Sequence, residues 1–274
     1  MATETETEAT IDPMHQFQID SLTGSALDGS PFAFTNSALW MLIILGTIYV
    51  FMLGGMKRQL VPGRWQAAVE GVTGFITSML ATNVGPEGRR YVPWVFTIFM
   101  FILVANLMGM MPFGVLTPVA DYAPGVGLVS HPFTVTSQFT VTGVMAIISF
   151  GIVLAVGFWK HKLHFFSLFV PSNTPFLLKL LIVPIEFVSF MVRPFSLALR
   201  LFVAMIAGHI LVKVFGSFIV GGLNAEGVMG PFISLLSFVF IVGVSALELL
   251  VCAIQAYVFA LLTSLYINDA VNLH

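Results

Sequence analysis

Two apolar runs constrain this chain more than any other feature, residues 176–220 and 229–268. As a helix each would be about 60 Å long, whereas about 20 residues suffice to cross a bilayer upright. Each run is therefore either a broken hairpin or one long, strongly tilted helix. Inside the first, the stretch SFMVRPFSLALRLFVAMIAGHILV carries Arg193, Arg200 and His209. Placing an arginine in hydrocarbon costs from ~3 kcal/mol on insertion scales to ~10 kcal/mol or more on an isolated helix. Such a residue persists where it meets a partner or a water-filled path.

The rest of the chain agrees with a membrane setting. Of its 274 residues 58% are hydrophobic and only 9% are charged, against about a quarter charged in a soluble domain. The apolar segments are continuous and long, so helices rather than a β-barrel are expected. The fold class is an all-α polytopic membrane protein with about three ordinary spans, at 38–56, 92–113 and 134–158. An amphipathic surface helix is expected at 64–82, where Trp65, Val69, Val72, Ile76 and Leu80 recur at helical spacing. The long runs form a hairpin at about 173–268, turning in the glycine-rich VGGLNAEGVMGP.

Charge assigns the sides. Residues 1–36 hold Glu4, Glu6, Glu8, Asp12, Asp20 and Asp28 and no Lys or Arg. Lys57, Arg58, Arg64, Arg89, Arg90, Lys160, Lys162 and Lys179 all fall in segments that alternate with it. By the positive-inside rule these eight mark the cytoplasmic side, with the N-terminus outside and the C-terminus in the cytoplasm. The domain reading is an acidic, partly disordered segment 1–36 followed by one helical membrane domain, 37–274. The basic n-region and early apolar core of a signal peptide are missing. The single Cys252 offers neither a disulfide framework nor a cysteine metal site. No phosphate-binding glycine loop occurs, and neither a cofactor nor a nucleic-acid partner is expected.

On a helix Glu186, Arg193 and Arg200 are seven apart and drift only about 20° per step, so they share a face, with Ser196 beside Arg200. His209 lies about opposite. Glu248 and Gln255 share a face of the last run. Carboxylate and imidazole exchange protons near neutral pH, whereas an arginine stays charged. This inventory suits proton handling, with Arg200 as a fixed charge that separates two aqueous paths. Plainer roles exist for the others: Arg193 paired with Glu186, His209 and Gln255 as packing hydrogen bonders, Glu248 as a structural ion-pair partner. Asn106 is a further polar residue near the outer end of the second span.

The segments RPFSLALRLFVAMIAGHI, ALELLVCAIQAYVFALLTSLYI, FILVANLMGMMPF and DPMHQFQI together resemble the a subunit of F-type ATP synthases, over about residues 11–268. The resemblance implies a stator subunit whose two long inclined helices pack against a rotating ring of c subunits. Arg200 matches the essential arginine facing the ring carboxylate, Gln255 the glutamine opposite it, and His209 and Glu248 the pair lining the outer half-channel. Glu186 and Arg193 match polar positions on the cytoplasmic side, Glu186 toward the exit path. Ala204 departs from the asparagine usual in the family. Implied partners are the c-ring, b-type peripheral-stalk subunits and the lipid bilayer. The implied location is a bacterial inner membrane, with the mitochondrial inner membrane as alternative, and the subunit itself is not expected to be catalytic. Two other readings are a stand-alone ion-coupled transporter, which inverted repeats would favour, and a passive membrane scaffold.

Overall fold

The computed structural model describes residues 34–56, 61–111, 134–162, 175–225, 227 and 229–272. The acidic segment up to residue 33 and residues 57–60, 112–133, 163–174, 226, 228 and 273–274 lie outside the described residues. Among the described residues six α-helices carry the fold: α1 Asn36–Gly55, α2 Arg64–Asn83, α3 Val92–Met110, α4 Phe139–His161, α5 Phe176–Asn224 and α6 Met229–Val271. Five of them, all but α2, are long and apolar enough to cross a membrane. The protein is an all-α, multi-pass membrane protein.

Each long run is one continuous helix, of 49 residues in α5 and 43 in α6. The broken-hairpin alternative is thereby excluded. At 1.5 Å per residue the two measure about 73 and about 64 Å, more than twice the ~30 Å of hydrocarbon, so neither can stand upright within it. Pro184 and Pro194 lie inside α5. Each removes one backbone hydrogen bond, and the helix continues through both.

α6 is the organising element. It packs along α5 and also against α3 and α4, while α1 covers α2 and α3. The main core gathers Ile76 and Leu80 of α2, Val95 and Ile102 of α3, Val153 of α4, Leu197 and Leu201 of α5, and Phe259 and Ile267 of α6. Between these sit Ala146, Ala198, Ala256 and Ala260, all but fully buried. In lipid there is little hydrophobic gain from joining helices, so small residues that allow close backbone approach take over that role.

The amphipathic α2 differs from its sequence pattern in one position. Val69, Ile76 and Leu80 face the core as expected, joined by Gln66 and Met79. Trp65 does not: it is half exposed, and its indole Nε1 donates to the Phe51 carbonyl of α1 at 2.9 Å. The indole needs a partner for its N–H, and the end of α1 offers one. The third span also begins later than expected, because a buried 3₁₀ turn at Val135–Ser137 precedes α4.

Candidate functional site

The polar side chains expected to act together lie along the α5–α6 hairpin. Three contacts set its antiparallel register. Ser234 Oγ donates to the Ile219 carbonyl at 2.9 Å near the turn. His209 Nδ1 lies 3.7 Å from Glu248 Oε1. Arg193 Nη1 donates to Asp269 Oδ2 at 2.9 Å near the other end. This register sets Arg200 about level with Phe259 and Gln255 about level with Ala204. The departure from asparagine at 204 therefore stands one turn from Arg200 on the same helix and about level with the glutamine.

Arg200 occupies an exposed stripe of α5 that runs Ser196, Arg200, Val203, Ala207, Leu211, Val214, Phe218. The adjoining flank of α5, with Leu197, Leu201 and Met205, is buried in the core. No carboxylate among the described residues forms an ion pair with Arg200. Its charge is held on the exposed surface of the hairpin, within an apolar stripe. Gln255 is half-buried.

On one side of Arg200 lies the His209–Glu248 pair. Glu248 is buried, and its Oε1 has no hydrogen-bond partner among the described residues. Such an oxygen is satisfied by a water or by a proton. Gly208 creates the room, since a Cβ there would lie 2.5 Å from this oxygen. His209 Nε2 hydrogen-bonds the hydroxyl of Thr134 at 2.8 Å, which leaves Nδ1 toward the carboxyl. Thr134 belongs to a buried hydroxyl-rich turn, with Thr136 donating to Asn106 Oδ1 at 2.7 Å. Gly109 allows this turn to approach α3, where a Cβ would meet Thr134 Oγ1 at 2.6 Å. Asn106 is fully buried and keeps an Nδ2 without a partner.

On the other side lies Arg193. The pairing with Glu186 weighed from the sequence is long, 3.9 Å, and Asp269 is the nearer partner. The guanidinium also stands 5.5 Å from the centroid of Phe190 and 5.2 Å from that of Tyr266. Glu186 is left substantially exposed, with 44% of its side-chain surface accessible.

Thr134, Asp269 and Gly208 were not singled out from sequence. Thr134 belongs to another helix connection and meets His209 only in three dimensions. Asp269 follows the apolar run and reads as an end-of-helix charge. Gly208, next to His209, was the one legible signal.

Ionisable groups held inside a multi-pass helical protein, paired across two helices, mark it as a membrane ion-handling protein. The family described as ATP synthase A chain matches residues 37–268. The chain is 63% identical to "ATP synthase subunit a" of Sphingopyxis alaskensis, over 96% of this chain and 97% of the relative. It is 60% identical to "ATP synthase subunit a" of Rhizorhabdus wittichii, over 96% and 97%. The protein of that name from Zymomonas mobilis is 52% identical over 96% and 98%. The chain belongs to the ATP synthase A chain family, the proton-translocating stator subunits of the F-type ATP synthase membrane sector.

Proposed function

We propose that this subunit conducts protons through two offset half-channels to and from the carboxylates of a rotating c-ring, with Arg200 as the fixed charge between them. The observation that carries the reading is axial separation around an exposed cation. From His209 to Arg200 is about 13 Å along α5, and from Arg200 to Arg193 about 10 Å. Two polar clusters thus flank one exposed arginine, with Leu197, Leu201 and Met205 packed alongside it.

A proton enters from outside through water near Asn106 and Thr134 and reaches the His209–Glu248 pair. It passes to a ring carboxylate, neutralising it. The neutral site turns into lipid, where a bare carboxylate would be far costlier. After nearly a full turn the site reaches the inner path near Glu186 and releases its proton beside Arg200. Arg200 stabilises the ionised carboxylate and repels a proton moving directly between the half-channels, while Gln255 and Ser196 offer polar contacts beside it. Arg193 serves as a clamp that fixes α5 against α6 through Asp269. The membrane potential supplies about 2.3 kcal/mol per proton per 100 mV.

The subunit carries no catalytic step of its own. It works with the c-ring and b-type peripheral-stalk subunits in a bacterial inner membrane, N-terminus outside and C-terminus cytoplasmic. The test is Arg200→Ala in inverted membrane vesicles. ATP-driven acidification is abolished while the complex still assembles; normal pumping by that variant would sink the mechanism and favour a passive scaffold.

A further inference from the structure

A groove of about 710 Å³ lies away from the hairpin, between the 3₁₀ turn Pro86–Tyr91 at the head of α3 and the last turns of α4. That size is within the ~300–1,000 Å³ typical of small-molecule sites. Its floor is apolar, formed by Ile152, Ala155 and Val156. Its rim is charged. Arg89 and Arg90 are exposed and pair with no carboxylate among the described residues. Lys160 is bound to Glu87. Three cations against one carboxylate leave the rim at +2. Trp159 stands at the mouth, 89% exposed.

We propose that this groove holds an anionic phospholipid of the adjacent leaflet, its phosphate on Arg89 and Arg90 and an acyl chain along Ile152 and Val156. The site sits where the apolar part of α3 begins and that of α4 ends, which is the depth of lipid headgroups. Indole rings favour that depth because one edge is apolar and the other donates a hydrogen bond. Arginine binds a phosphate with two parallel N–H donors, a geometry a lysine cannot offer. Glu87 draws Lys160 to one side, leaving the arginines as the available donors. The floor continues the lipid-facing surface of α4, so a chain enters without crossing polar ground.

The test uses the intact purified synthase in nanodiscs of phosphatidylcholine doped with a photo-activatable lipid, either phosphatidylglycerol or phosphatidylcholine, with labelled peptides mapped. Phosphatidylglycerol should label residues 86–91 and 152–160 well above phosphatidylcholine, and less so at high salt. Arg89→Gln and Arg90→Gln should each lower that labelling about fivefold, and Arg64→Gln, an exposed cation elsewhere, should not. Equal labelling by the two lipids overturns the proposal, as does labelling indifferent to both arginines. So does loss of a stalk subunit from the Arg89→Gln, Arg90→Gln particle with labelling intact, which would make the groove a protein-docking surface. If the double variant fails to assemble, the wild-type lipid comparison and its salt series still decide.

Discussion

Replacing Gly208 by alanine adds one methyl group where α5 faces Glu248. The new Cβ would lie 2.5 Å from Oε1, 2.9 Å from Cδ and 3.2 Å from Cγ of that side chain. Non-bonded heavy atoms settle at about 3.5 Å or more, so the carboxyl must retreat by about 1 Å. What moves is the end of a flexible side chain, so the two helices need not part. The exchange also gains about 1 kcal/mol of helix propensity. The retreat carries the carboxyl away from α5, hence away from His209 Nδ1, already 3.7 Å distant. A displacement of about 1 Å in a reacting geometry costs up to about 100-fold in rate. In inverted vesicles, ATP-driven acidification per assembled complex should fall by about 10- to 100-fold, with assembly intact. Gly216→Ala is the control on the same helix, where an added Cβ meets nothing within 4 Å. Parent-like pumping by Gly208→Ala, or equal slowing by Gly216→Ala, would refute the idea that the position of this carboxyl limits proton entry.

Three further outcomes follow from the same geometry. Thr134→Val removes the hydroxyl that holds His209 Nε2 at 2.8 Å and should slow pumping about tenfold, the effect of one lost hydrogen bond of about 1.4 kcal/mol, whereas Thr134→Ser should restore it; failure of serine to rescue would make the threonine a packing residue. Asp269→Asn removes the partner of Arg193, but 38% of that side chain is exposed, so the loss should be about 1 kcal/mol or less, seen as a slightly lower dissociation temperature with pumping preserved; pumping as impaired as in Arg200→Ala would place Arg193 on the proton path. Glu248→Gln should slow pumping far more than Cys252→Ser one turn further along α6, and equal effects would mean that Glu248 is structural.

Residue types and their order along the chain determined the class of this protein. The continuous apolar runs leave helices as the only way to satisfy backbone groups within each segment, and their lengths count the crossings. The same periodicity put Glu186, Arg193 and Arg200 on one side of α5 and His209 on the other, since a helix converts spacing into angle without help from its neighbours. Between helices that conversion ends. Whether each long run breaks or continues depends on packing along α3, α4 and α6, and two prolines inside α5 did not decide it. Trp65 sat on the expected inward stripe of α2, yet its indole N–H is held by the Phe51 carbonyl of α1. Arg193 had a carboxylate seven residues away on its own helix, but antiparallel register brought Asp269 nearer. Thr134 meets His209 from 75 residues away, a contact no periodicity encodes. Spacing along one helix is local geometry, whereas partners across helices are set by the register in which side chains of many segments interlock.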